Sequence, residues 1–233
     1  MTTDQAVSTR AVVSSLLLGL VFATSVILVA LSVAQASQAD TFVWILGRSS
    51  GITALIMLWA ASVLGLLVSH PNSHSWTWMQ FVTRLRLHIG FSVFAILITI
   101  VHLVSLALDQ FVDVGWAGAL IPMASNWERI PITFGVLSFY GMLLVAVTAS
   151  LANSAIFRRS WLWLHRISLL FFVMAFGHGM LTGSDTDALF FGYVIAGVFV
   201  LILAIWRYRK PSIRRKRKEY VRDTKPRIIE KSR

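Results

Sequence analysis

Long apolar runs dominate the pattern of hydrophobic and polar positions along the chain. Six runs approach or exceed the roughly 20 residues that a helix needs to cross a bilayer. They are Ala11–Ala34, Ser50–Ser69, His88–Leu108, Ile132–Ala152, Trp163–Leu181 and Leu189–Trp206. Peptide groups have no water partner in lipid, and the alternation typical of barrel strands is absent, so we expect helices. The pattern predicts an all-α fold, a six-helix transmembrane bundle over residues 1–206, followed by a tail over residues 207–233.

The first run also has a feature of a secretory signal. The tripeptide Ala34-Gln35-Ala36 resembles a signal-peptidase site. However, the apolar run before it spans about 23 residues, whereas the core of a signal peptide usually has about 7–15. We therefore expect a retained helix; cleavage would leave the orientation of the other five unchanged.

Composition and charge support the membrane class and predict its orientation. The chain is 57% hydrophobic and 13% charged, too apolar for an ordinary soluble domain. Residues 207–233 contain 13 Lys/Arg and 3 Asp/Glu, which is +10 of the net charge of +11. Because basic segments stay on the cytoplasmic side, the tail and, with six spans, the amino end should be cytoplasmic. We expect this tail to contact anionic lipid, with an acidic cytosolic protein as the alternative and no nucleic acid as partner.

Four histidines lie within or at the start of the apolar runs and are the candidate functional residues. Ionisable side chains are costly in hydrocarbon, so each is a functional candidate. His88 and His102 belong to the third predicted span, and His165 and His178 to the fifth. At 1.5 Å per residue, each second histidine lies about 20 Å further out than the first, so His88 matches His165 in depth and His102 matches His178.

The spacing raises one geometrical difficulty. Fourteen residues return to nearly the same face of a helix, whereas thirteen leave His165 and His178 about 140° apart. For both to face one partner helix, the fifth span must bend, unwind slightly or use extended rotamers. Gly177 and Gly179, which flank His178, are the positions expected to ease that distortion.

Two imidazoles at each of two depths suit two iron porphyrins better than other metal sites. The chain has no cysteine, which excludes cysteine-ligated clusters and covalent haem attachment. A zinc site would need its ligands close together, and the two levels are about 20 Å apart. His70 and His74 lie in the loop after the second span, where a structural role is expected and a surface or proton-transfer role is the alternative.

Several arginines are secondary candidates for binding the carboxylates of a haem. Arg84, Arg86 and Arg166 lie near the His88–His165 level and could form charge-assisted bonds, although plain positive-inside topology also explains them. Arg48 lies on the outer side and could bind an outer carboxylate or pair with Asp40.

At these residues the chain resembles the ferric reductase-like transmembrane domain, a family that includes the membrane parts of NADPH oxidases, ferric reductases and the haem-binding subunit of a bacterial methionine-sulfoxide reductase. The resemblance covers approximately residues 40–206. It rests on His88 with His102, on Trp161-Leu162-Trp163-Leu164-His165-Arg166, on the segment from His178 to Asp185, and on Gly47-Arg48-Ser49-Ser50-Gly51.

The resemblance implies b-type haems, two expected and one possible, with the four histidines as axial ligands. It implies transmembrane electron transfer, in a plasma membrane that is expected to be bacterial, towards ferric iron, oxygen or an extracytoplasmic flavoprotein. No glycine-rich nucleotide fingerprint is present, so the donor is expected to be a separate flavoprotein or a quinol, and the chain an oxidoreductase subunit. The alternative is a proton- or metal-coupled transporter that uses the intramembrane histidines, although the predicted spans contain no Asp, Glu or Lys.

Overall fold

A computed structural model describes residues 42–152, 161–183 and 185–209. Every regular element in these ranges is helical, and none of the described residues forms a strand. One 3₁₀ turn, Ser73–Ser75, follows the first helix. The α-helices, in chain order, are α1 (Phe42–Ser69), α2 (Phe81–Leu108), α3 (Gly115–Leu120), α4 (Arg129–Ser150), α5 (Trp161–Arg166), α6 (Ser168–Thr182) and α7 (Thr186–Arg209).

Five helical segments of the described chain are long and apolar enough to cross a membrane: α1, α2, α4, α5 with α6, and α7. They correspond to the second to sixth predicted spans, so the described part of the chain is all-helical and the protein is a multi-pass membrane protein. The first predicted span, Ala11–Ala34, and the basic tail lie outside the described residues. Large apolar side chains such as Phe191 and Ile195 are 77% and 69% exposed on α7, as expected of a surface that contacts lipid.

The helices extend beyond the apolar runs that predicted them. The second helix α2 begins at Phe81, seven residues before His88, and includes Arg84 and Arg86. A helix does not end where hydrocarbon ends, because its hydrogen bonds are internal and its first turns can lie among polar groups. This extension places His88 well inside a continuous helix.

The described helices pack as two neighbouring pairs, which meet directly where α1 contacts α6 and which α7 also joins. The backbone of α1 approaches α2 closely along much of its length, α4 approaches α6 in the same way, and α7 packs on α1 and α6. A buried cluster joins α1, α6 and α7 through Leu66, Phe172 and Val200. Trp59, for which ordinary packing is expected, also donates its indole N–H to the Ala196 carbonyl at 3.1 Å. By contrast, the described parts of α2 and α6 make almost no close backbone approach.

The connection from α2 to α4 is attached to α4 by hydrogen bonds. It contains the short helix α3, which packs on α2 and α4. The Tyr140 hydroxyl donates to the Leu120 carbonyl at 2.8 Å, and the Met123 N–H donates to the Thr133 hydroxyl at 2.9 Å. These bonds attach the connection to the side of α4, and its residues Val114 and Ala119 are buried.

Candidate functional site

The four histidines form two pairs between α2 and the α5–α6 segment. The ring centroids of His88 and His165 are 5.8 Å apart, and those of His102 and His178 are 6.2 Å apart. All four side chains are half-buried. The predicted matching of the histidines by depth therefore agrees with the positions that the structure gives them.

The ring separations suit two imidazoles on opposite sides of one metal ion. A metal–imidazole bond is about 2 Å long, and with about 1.1 Å from nitrogen to ring centre, the two centroids should be roughly 6 Å apart. The planes of the rings are inclined at 83° in the His88–His165 pair and 69° in the His102–His178 pair. An edge-to-face contact between the two rings would give similar distances and angles. The hydrogen bonds of the imidazoles therefore have to distinguish such a contact from binding of a metal ion.

Backbone carbonyls fix the tautomer of three of the four imidazoles. The Nδ1 atom of His88 lies 2.8 Å from the Ala61 oxygen, that of His102 lies 2.7 Å from the Gly47 oxygen, and that of His178 lies 2.9 Å from the Pro131 oxygen. A carbonyl can only accept, so each Nδ1 carries the proton and each Nε2 keeps its lone pair.

The three Nε2 atoms are left available. None of them has a hydrogen-bond partner among the described residues, and none is sealed from the surface. Metal-binding histidines usually donate their other nitrogen to a carbonyl or carboxylate in this way. The arrangement thus favours metal ligation over a simple ring contact.

Each of these three imidazoles also lies against a glycine of the neighbouring helix. A Cβ atom added to Gly51 would lie 2.8 Å from His102, one on Gly135 would lie 2.9 Å from His178, and one on Gly65 would lie 3.1 Å from His88. In every case the glycine follows the accepting carbonyl by four residues. We call this combination of a carbonyl and the glycine one turn later a histidine cradle.

The cradles were only partly predictable from sequence. Gly51 belongs to the motif that carried the family resemblance, but Gly65 and Gly135 were not singled out. The available signal was the equal spacing of fourteen residues between Gly51 and Gly65 and between His88 and His102. In an antiparallel pair of helices such equal spacing brings each glycine to one histidine.

The fifth span is interrupted, but by a tightening of the helix rather than the unwinding named as one possibility, and at another position than expected. The helical hydrogen-bond pattern breaks at Ile167, between α5 and α6, where the backbone has φ −66° and ψ −17°. The Ile167 N–H donates to the Leu164 carbonyl at 3.1 Å, a tighter turn than in an α-helix. Gly177 and Gly179, the predicted positions, lie in the regular helix α6.

This tightening reduces the angle between His165 and His178 around the helix axis. Each residue in 3₁₀ geometry turns the chain by about 120° rather than about 100°. A few such residues recover part of the difference between thirteen residues and four full turns. The ring contacts with His88 and His102 show that both His165 and His178 face α2.

His165 differs from the other three histidines. Its Nδ1 atom is buried and has no hydrogen-bond partner among the described residues. Its ring contacts that of Trp161, with centroids 5.7 Å apart. The chain thus orients His165 by packing, without the carbonyl that the other three use.

At the end of the bundle near the His88–His165 pair, Arg84 is fully buried. Its guanidinium donates to the Ser73 carbonyl and lies over the rings of Trp76 and Trp78, 4.7 and 5.6 Å from their centroids. Arg84 therefore attaches the connection between α1 and α2 to the start of α2, a structural role that is separate from the predicted binding of a haem carboxylate.

The loop histidines have structural positions. His70 is 2% exposed, stacks on Trp206 at 3.9 Å between centroids, and accepts a hydrogen bond from the Asn72 N–H. His74 is exposed and stacks on Phe81 at 4.1 Å. Arg86 and Arg166 are also exposed, and neither forms a hydrogen bond or ion pair with another described residue.

At the other end of the bundle, Arg48 forms a two-pronged ion pair with Asp185. Its Nε donates to one carboxylate oxygen at 3.1 Å, its Nη2 donates to the other, and its guanidinium lies over Trp44. Asp40, one of the two alternatives expected for Arg48, lies outside the described residues. Arg48 follows Gly47, which accepts from His102, so the ion pair links the cradle of His102 to the turn between α6 and α7.

The donor set at each level consists of two imidazoles. In the described ranges no group of three or more His, Cys, Asp or Glu side chains could hold a metal ion. Comparison with protein-family models, with curated proteins and with solved structures finds no match to this chain.

Proposed function

We propose that this chain is a di-haem b membrane subunit that carries electrons across a membrane. The proposal rests on the two histidine pairs, whose ring centroids are 5.8 and 6.2 Å apart. They lie between α2 and the α5–α6 segment, and α2 and α6 are not close-packed. His88 with His165, and His102 with His178, would be the axial ligands.

The residues present fit a haem. Two imidazoles at each level supply two axial nitrogens, and a macrocycle would supply the other four donors to iron. Three Nε2 atoms keep their lone pairs because Nδ1 donates to a carbonyl. The cradle glycines remove side-chain bulk beside the rings that would bind iron.

With two histidines at each level, a bound haem would have no position left for a substrate, so it would supply electron transfer only. The chain's own contribution would be to fix the rings and to separate the two levels by about 20 Å. Arg86 is exposed and free of other described partners, so we assign it to a haem carboxylate at the His88 level. Arg48 would first have to leave Asp185.

The family, the orientation in the membrane and the redox partners are proposed from the distribution of charged residues and from the family resemblance. We propose membership in the ferric reductase-like transmembrane family, with residues 11–34 as a sixth helix and both chain ends in the cytoplasm of a bacterium. Electrons would enter at the His88–His165 pair from a separate flavoprotein or a quinol. They would leave at the His102–His178 pair for ferric iron, oxygen or a flavoprotein outside the plasma membrane.

Spectroscopy of the purified chain tests this proposal. After haem-replete expression, reduced-minus-oxidised spectra should show b-type bands, and the haem content should be two per chain. Substituting His102 or His178 by alanine should leave one haem, and substituting His88 or His165 should leave the other.

The matched control is His74→Ala, because His74 is exposed and belongs to neither pair. It should keep both haems. A wild-type chain that folds without b-type absorbance would contradict the proposal, as would a His102→Ala chain that keeps two haems.

A further inference from the structure

The connection between α2 and α4 contains a long uncharged segment with an acidic residue at each end. Residues 114–127 include no Asp, Glu, Lys, Arg or His, and Asp113 and Glu128 flank them. Asp113 and Glu128 have φ angles of 51° and 36°, in the left-handed region that is uncommon outside turns. The chain therefore enters and leaves the 114–127 segment through turns that carry charge.

Helix α4 provides a scale for the depth of this segment. It has 22 residues, which is about 33 Å at 1.5 Å per residue, and the hydrocarbon of a bilayer is about 30 Å thick. Glu128 and Arg129 are charged, whereas residues 130–152 contain no charge. The first residue of α4, Arg129, therefore lies close to the hydrocarbon boundary, and Val136 lies about 10 Å inside it.

The 114–127 segment packs beside α4 at this depth. Val114 and Ala119 belong to one buried cluster with Ile132 and Val136 of α4 and Ala107 of α2. The short helix α3 thus lies along the first two turns of α4, between α4 and the end of α2.

Side chains of α4 satisfy peptide groups that α3 leaves free. The Tyr140 hydroxyl donates to the Leu120 carbonyl at 2.8 Å, and the Met123 N–H donates to the Thr133 hydroxyl at 2.9 Å. Tyr140 lies further along α4 than Thr133, so the chain is deepest near Leu120 and rises again towards Met123. Peptide groups in water need no such partners, whereas peptide groups in hydrocarbon are costly without them.

The turn at the deep end is closed in the same way. The Ile121 N–H donates to the Ala117 carbonyl at 2.8 Å, and the Ala124 N–H donates to the Ile121 carbonyl at 3.2 Å. Pro122 has no N–H to satisfy. Together with the bond from Met123, these contacts account for every N–H of residues 121–124, as a position in hydrocarbon requires.

The outward side chains of the segment are large and apolar. Trp116 and Ile121 are 51% and 57% exposed. Tyr140, which holds Leu120, lies between the exposed Leu137 and Leu144 on the same side of α4, so the two apolar surfaces are continuous. Exposed apolar faces of membrane-spanning helices contact acyl chains, and this continuity makes lipid the occupant that fits the segment.

We propose that residues 114–127 form a re-entrant segment that dips about 10 Å into the leaflet at this end of the bundle and contacts lipid through Trp116 and Ile121. The segment also fills the space between α2 and α4 beside the His102–His178 pair, because Leu103, which follows His102, packs against the buried cluster. On the proposed function, it would separate the haem of that pair from lipid.

The depth of the segment can be measured directly, because the chain has no cysteine and a nitroxide label can be placed at one chosen residue. The full-length chain is reconstituted in phosphatidylcholine bilayers. Power-saturation EPR compares collisions of the label with oxygen, which concentrates among acyl chains, and with a water-soluble nickel chelate. Ile195→Cys, 69% exposed in the middle of α7, is the lipid reference, and Asp187→Cys, exposed in its first turn, is the water reference.

The segment should show an order of depths. Ile121→Cys should give a ratio of oxygen to nickel collisions close to that of Ile195→Cys. Trp116→Cys, at the shallower end of α3, should give a lower ratio that still exceeds the water reference. If Ile121→Cys does not fold, Ala117→Cys decides instead, because Ala117 is exposed on α3 and cysteine is only slightly larger than alanine.

Two results would overturn the inference. A ratio at Ile121→Cys equal to that of Asp187→Cys would place the segment in water. Few collisions with either reagent would show that a partner protein or a second copy of this chain covers the surface instead of lipid.

Tyr140→Phe tests the support from α4. This change leaves the Leu120 carbonyl without its partner, so a label at Ile121 should move towards the water reference. The matched control is Tyr208→Phe, an exposed tyrosine at the other end of the bundle, which should leave the label unchanged. An unchanged label in Tyr140→Phe would contradict a hydrocarbon setting for the Leu120 carbonyl.

The haem-dependent part is tested separately. On the proposed function, Tyr140→Phe should speed the loss of one haem of two several-fold, and Tyr208→Phe should not; equal rates would contradict the role of the segment beside the His102–His178 pair. A folded chain that binds no haem refutes the proposed function, whereas its label at Ile121 still measures the depth of the segment.

Discussion

The two halves of the histidine site are built on different spacings, and their comparison shows what spacing controls. On α2 the histidines are fourteen residues apart, and α1 and α2 are both unbroken helices of 28 residues. On the other half the spacing is thirteen, and the helix is broken at Ile167. A spacing close to a whole number of turns allows one arrangement to be repeated, and a spacing of thirteen does not.

The contacts follow this difference. Both histidines of α2 donate to carbonyls of α1 and lie against glycines of α1. Of the two histidines beside α4, only His178 has the same support. The His88–His165 pair therefore has one carbonyl-bonded imidazole and the His102–His178 pair has two.

The largest expected effect comes from filling the cradles of the His102–His178 pair. Gly51→Leu and Gly135→Leu would place side chains where even a Cβ would lie 2.8 and 2.9 Å from the imidazoles. Because each imidazole lies directly against its glycine, either change should displace the ring and, on the proposed function, remove one haem of two. Haem content per chain, measured as the pyridine complex, checks this.

The control for this prediction is Gly192→Leu, since a Cβ on Gly192 would meet nothing within 4 Å. It should keep both haems and be at least as stable as wild type, because glycine is a poor helix former. Full haem content in Gly51→Leu would mean that the cradle does not hold His102 in place.

The second prediction concerns Arg84, which supports the end of the bundle near the His88–His165 pair. Arg84→Ala removes a charged hydrogen bond to Ser73 and the stacking on Trp76 from a buried position. The free energy of unfolding should fall by roughly 2–3 kcal/mol. Unfolding in increasing denaturing detergent measures this loss.

Arg86→Ala is the matched change for Arg84, because it removes the same side chain two residues later at an exposed position. It should alter the free energy of unfolding by less than about 0.5 kcal/mol. Equal effects of the two substitutions would show that the burial of Arg84 contributes nothing.

The sequence predicted the spans and the histidine levels because both depend on spacing along one chain. Apolar length predicts α1, α2, α4, α5 with α6, and α7, and a rise of 1.5 Å per residue matches the histidines by depth. The need for a distortion in the fifth span was also predictable, since it follows from thirteen residues on a helix.

What the sequence left open depends on contacts between helices. The carbonyls of Ala61 and Pro131 carry no side-chain signal, and their use by histidines depends on the register of two antiparallel helices. The partner of Arg48 was open for the same reason: Asp185 follows it by 137 residues. The break lies at Ile167 rather than at Gly177, because glycine permits a distortion without requiring one.

The third prediction tests the register of the α4–α6 half. Ser138 is 1% exposed and donates to Phe171 on the other helix, whereas Ser105 is 3% exposed and donates to Val101 on its own helix. Ser138→Ala should lower the free energy of unfolding by about 0.6–1 kcal/mol, as do other hydrogen bonds between membrane helices. Ser105→Ala should have an effect close to zero, and the reverse order would contradict the register.

The smallest effect is expected at the ion pair of Arg48 and Asp185, which supports the end of the bundle near the His102–His178 pair. Its side chains are 31% and 34% exposed, so solvent and salt screen their attraction. A double-mutant cycle with Arg48→Ala and Asp185→Ala should give a coupling below about 1 kcal/mol that falls further at high salt.

Salt distinguishes the two ends of the bundle. The loss in Arg84→Ala should be nearly independent of salt, because Arg84 is buried and its partners are a carbonyl and aromatic rings. A coupling between Arg48 and Asp185 that is as large as the Arg84 effect and insensitive to salt would show that both ends are held by buried charge. The proposed contrast between the buried Arg84 at one end and the solvent-screened ion pair of Arg48 and Asp185 at the other would then be wrong.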